Sequence, residues 1–99
     1  MSPEFELGLN LITRFEKELR AISESPSPED AKPIIESIKH PIFGAAAQIK
    51  AGDGPLKEDI LKPLLFLVSN FRELSDFEGT KEAVRELLGL VEKARCSNT

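Results

Sequence analysis

One apolar stripe constrains this chain more than any other feature. Ala31, Ile34, Ile35, Ile38, Ile42, Ala45 and Ile49 recur at spacings of one helical turn or two, and they stay in phase across Pro41. A period of about 3.6 residues puts these side chains on one side of a helix, which must then be buried against another element. Proline removes a backbone donor, and it pushes the preceding residue, here His40, out of the α region. A stripe that keeps its phase across such a breaker predicts two collinear pieces, residues 28–39 and 41–50, in one helix kinked or split at Pro41.

Three further amphipathic segments surround this one. Residues 6–23 carry Leu11, Ile12, Phe15, Leu19 and Ile22 on one face, with Arg14/Glu18 and Glu16/Arg20 four apart on the other. Gly8 weakens the start of that helix by about 1 kcal/mol against alanine, and the alternation Phe5, Leu7, Leu9, Leu11 also fits an extended arm. After the turn AGDGP at residues 51–55 comes the most apolar segment, in which Ile60, Leu61, Leu64, Leu65, Phe66, Leu67, Val68 and Phe71 cover more than one face. That breadth predicts a central helix. Ser75 and Glu78 have the spacing of a capping box ahead of a last helix through Ala83, Val84, Leu87, Leu88, Val91 and Ala94. Tyrosine and tryptophan are absent and valines are few, so no segment reads as a strand.

Short loops between helices make antiparallel neighbours. The expected fold is therefore all-α, an antiparallel up-and-down bundle of four helices. The alternative is a pair of stacked hairpins of the HEAT or armadillo kind, for which the phrases EDAKPII and EDILKPLL would mark a repeat. Their flanks do not align. Each phrase instead combines an acidic pair at the positive end of a helix dipole with a second proline, Pro33 or Pro63, about two turns in. Those prolines remove bonds to the Glu29 and Asp59 carbonyls, which predicts helices that begin late or bend there.

The opening MSPEF resembles translated cloning-site sequence, so residues 1–5 are expected to lie outside the native domain. Residues 6–95 then form a single helical domain excised from a larger protein, and 96–99 a flexible tail. SESPSPED at residues 23–30 punctuates two helices, with Ser27 as N-cap and Pro28 at the first helical position. Ser25-Pro26 and Ser27-Pro28 also match the dipeptide of proline-directed phosphorylation.

Composition removes whole classes of function. The chain is 99 residues with a net charge of −4, and its acids are spread along its length, so no basic face can neutralise a run of phosphates. No stretch approaches the roughly 20 apolar residues of a membrane span, and no signal-peptide pattern opens the chain, which points to an intracellular setting, cytoplasmic or nuclear. One histidine, His40, and one cysteine, Cys96, supply neither a zinc ligand set nor a cysteine–histidine pair. The glycines of AGDGP lack phosphate-loop spacing, and DGPLKED lacks the alternating oxygens of a calcium loop. No enzyme activity and no cofactor are expected.

An interaction surface is the remaining class. Six phenylalanines exceed what one small centre needs. Phe43 and Phe77 lie beside a break and a turn, and with Lys39, His40 and Ile42 they form the expected partner-binding set, for a helix or peptide of another protein laid in an apolar groove. The competing reading has Phe43 folded into the core and Phe77 as a hydrophobic staple. Homo-oligomerisation through the helix containing Leu61 to Leu67 is the alternative function, and an apolar ligand or lipid inside the bundle a third. Bases at Lys32, Lys39, His40 and Lys50 face acids at Glu73, Asp76, Glu78, Glu82 and Glu86 as a polarity that would steer a charged partner.

Overall fold

A computed structural model describes residues 1–97, and among them every regular element is a helix. Five helices follow in the order α1 Pro3–Arg14, α2 Glu16–Ser23, α3 Pro28–Ala51, α4 Lys57–Arg72 and α5 Phe77–Ser97. The molecule measures 38 × 20 × 20 Å. The longest helix, α3, packs against α1, α2 and α4, and α5 packs against α4, α2 and α1.

The N-terminal residues belong to the fold. Ser2 caps α1, its Oγ accepting the Phe5 amide at 3.2 Å, while Pro3 takes the first helical position and Glu4 and Glu6 fill the first turn. Phe5, set aside on sequence grounds, is fully buried in the core. Gly8 is likewise part of a helix contact. A Cβ there would lie 2.7 Å from the Ile49 side chain and 3.1 Å from the Ala45 carbonyl, so α1 and α3 meet at a spacing only glycine permits.

The first expected helix is interrupted and the second is not. At Phe15 the backbone leaves helical geometry (φ −106°, ψ 20°), and its amide is shared between the Leu11 and Ile12 carbonyls at 3.3 and 3.2 Å. This break turns the chain from α1, seated on α3, to α2, seated on α5 and α3. By contrast α3 runs unbroken through both Pro33 and Pro41, which corrects the expected split. Glu29 and Ser37, whose carbonyls lose their donors to the two prolines, are exposed, so water can replace the missing N–H. Ile35, Ile38, Ile42, Ala45 and Ile49 are buried on both sides of Pro41 and hold the two halves in one register. Neither α3 nor α4 begins late: Ser27 caps α3 at Asp30, and Pro63 lies well inside α4.

The turn between α3 and α4 is shaped by what it covers. A Cβ on Gly52 would lie 2.6 Å from Ser2 Oγ, and one on Gly54 would fall on the Phe5 ring. Ser2 donates its amide to the Asp53 carbonyl and accepts the Asp53 amide at its Oγ, both at 2.8 Å. Leu56 then enters α4 in the left-handed region at φ 62°, a conformation that costs a non-glycine residue roughly 1–3 kcal/mol.

Between α4 and α5 the buried Asn70 organises the loop. Its Oδ1 accepts the Ser75 and Asp76 amides at 3.3 and 3.0 Å, and its Nδ2 donates to the Phe66 carbonyl at 3.1 Å. Asp76, instead of the expected Ser75, performs the capping, its Oδ1 accepting the Gly79 amide at 2.9 Å. At the far end of α5, Arg95 Nη2 donates to Asn10 Oδ1 and Thr13 Oγ1 on α1, at 2.8 and 3.1 Å. Cys96 and Ser97 lie in the last turn of α5, not in a tail, while Asn98 and Thr99 fall outside the described residues.

Candidate protein-interaction face

The expected set divides between two places and the core. Ile42 is fully buried among the residues that hold α3 together, so it is not a surface contact. Its place in the stripe with Ile38 and Ile49 marked it as core, and periodicity outweighs nearness to a proline. Lys39 is partly covered and pairs with Glu36 at 3.1 Å one turn back. His40 is exposed and stands edge-on to Phe43, ring centroids 5.9 Å apart at 86°. Phe43 is half-buried against the core, with the Arg72 guanidinium of α4 5.2 Å from its ring centre. That contact ties α4 to α3 and leaves Phe43 only partly open.

Phe77 belongs to a different cluster, at the start of α5. Its ring packs on the core, and Lys81 Nζ stands 4.9 Å from the ring centre. The same ammonium donates to the Ser25 carbonyl at 3.1 Å, and Arg85 donates to the Ser23 carbonyl at 3.3 Å. Two cations of α5 therefore secure the loop between α2 and α3. Ser25 is buried there, its Oγ donating to the Ala21 carbonyl, whereas Ser27 is partly exposed as the cap of α3.

The most exposed phenylalanine lies elsewhere, on α4. Ile60, Leu61, Leu64, Leu67 and Phe71 are buried, but Leu65 and Phe66 remain 45% and 37% exposed. The helix is too apolar for one buried stripe to absorb, and it packs on α3 and α5 without being central. Phe66 forms one wall of a groove against α5 of about 420 Å³, with Pro63 and Ala83 in its lining. A Cβ on Gly79 would lie 2.9 Å from Phe66 Cζ, so the glycine is what lets the ring tip rest against α5. The rim carries Asp76, Glu82 and Glu86 against a single cation, Lys62. Along the same face of α5 a second hollow opens by Gly89, Lys93 and Cys96, next to Leu56.

Among the described residues no three His, Cys, Asp or Glu side chains converge as a metal site requires, and no helix is long and apolar enough to cross a membrane. No protein-family model, curated protein or solved structure matches the chain. The reading of function rests on the geometry of this face.

Proposed function

We propose that the protein is a non-catalytic interaction module that receives a helical segment of another protein in the groove between α4 and α5. The observation that carries this reading is the exposed Phe66 beside Gly79 and Ala83, an aromatic wall over a small-residue floor. Partly buried aromatics of this kind serve as anchors for amphipathic helices. In this reading α1 and α2 count as one bent rod, so the architecture is an antiparallel up-and-down bundle of four rods. The setting is intracellular, cytoplasmic or nuclear, a reading supported by a sequence whose single cysteine cannot close an internal disulfide. The site expected at Lys39, His40 and Phe43 takes second place because Arg72 and Glu36 already occupy much of it.

Adding an uncharged amphipathic helical peptide to the isotopically labelled protein tests this. The amides of Phe66, Gly79 and Ala83 should shift, and Phe66→Ser should abolish the shifts without loss of helicity. Shifts centred on His40 and Phe43 instead would refute the placement. The adjacent exposure of Leu65 and Phe66 favours homo-oligomerisation as the second reading. Light scattering across a concentration series decides between them, since a monomer at high concentration removes it.

A further inference from the structure

We infer that the occupant of the α4–α5 groove is a cationic amphipathic helix of another protein. The inference rests on the groove reading above and adds the chemistry of the partner. Glu82 and Glu86 are exposed and one turn apart on α5, and Asp76 stands at the same rim. A partner helix with lysine or arginine four residues apart meets that spacing while its apolar side covers Phe66. Lys62 is the single base of the rim, because Lys81 is engaged by Phe77 and the Ser25 carbonyl. The same acidic rim opposes nucleic acid and anionic lipid.

The probes are three peptides of about fourteen residues, or four turns, sharing one apolar face and carrying lysine, glutamine or glutamate on the other. At low salt the lysine peptide should bind the full chain about tenfold tighter than the glutamine peptide, with the glutamate peptide weakest, and about 0.5 M salt should erase most of the difference. Each reversal, Glu82→Lys and Glu86→Lys, should weaken the lysine peptide roughly two- to fivefold, whereas the paired control Glu29→Lys and Glu36→Lys on α3 should leave it unchanged. Phe66→Ser should weaken lysine and glutamine peptides alike.

Equal binding of those two peptides, both lost in Phe66→Ser, overturns the charge inference and leaves the groove reading standing. A lysine preference that survives Glu82→Lys/Glu86→Lys also overturns it, by placing the cation contact elsewhere. If no peptide binds, both readings fail. Self-association dispersed by Glu82→Lys/Glu86→Lys would make the occupant a second copy, and would equally overturn the inference.

Discussion

Ser2 and Asp53 exchange two hydrogen bonds of 2.8 Å across 51 residues of sequence, one between backbones and one through the Ser2 hydroxyl. The same hydroxyl caps α1, so one oxygen starts a helix and closes a distant turn over it. Beneath this clip lies the ring of Phe5, covered by Gly54.

Replacing Ser2 by alanine should therefore cost about 1–2 kcal/mol, more than an isolated cap, because the Asp53 amide also loses its partner. Phe5→Ala should cost about 3–5 kcal/mol, the usual range for emptying an aromatic site. Urea midpoints at constant m-value measure both. Equal stability of a chain lacking residues 1–5 would show that this end contributes nothing.

At the closest approach of α1 and α3, Gly8→Ala sets helix propensity against space. The gain of about 1 kcal/mol is opposed by overpacking of about 1–3 kcal/mol against Ile49. The single variant should be destabilised. Ile49→Ala removes both atoms, Cγ1 and Cδ1, that a Gly8 side chain would strike, so the double variant should be more stable than the sum of the singles by at least about 0.5 kcal/mol.

Pro41→Ala distinguishes a continuous helix from a split one. In an unbroken α3 the substitution restores an N–H for the Ser37 carbonyl, and stability should rise by about 1–2 kcal/mol, less than the full interior cost because alanine also frees the unfolded chain. Were Pro41 the first residue of a separate helix, the change would be neutral or harmful. Thermal melting reads the sign.

Asn70→Ala should cost about 2–3 kcal/mol, since two loop amides and the Phe66 carbonyl lose partners in a mostly covered site. Hydrogen exchange gives a sharper measure than stability alone. The Ser75 and Asp76 amides should lose protection in the variant while those of α3 change only with global stability.

What could be read in advance followed the range of the interaction concerned. The start of α3 at Ser27-Pro28 was legible because cap chemistry acts within one turn, and the buried stripe of α3 was legible because burial repeats with the helix. Phe15 carries no breaker residue, and the interruption there reflects the different partners of α1 and α2. Phe5 was set aside because MSPEF resembles cloning-site sequence, and no local pattern could correct that, since its burial depends on a turn nearly fifty residues away. On α4 the unbroken run through Leu64, Leu65, Phe66 and Leu67 announced surplus apolar surface, but periodicity could not choose which two residues stay outside. The candidate groove follows from that choice.

The bond from Arg95 to Asn10 and Thr13 has a consequence for biosynthesis. It spans 85 and 82 residues, and Lys81 and Arg85 likewise reach back to the loop after α2. Contacts this remote carry the largest loop-closure entropy and form late. A nascent chain can bring α1 against α3 while α5 is still inside the ribosomal tunnel, but until α5 emerges, the faces of α2 and α4 that it covers stay open to water and to chaperones. Emergence of α5 from the tunnel, more than synthesis of any single helix, is then the step that completes the groove on which the proposed binding depends.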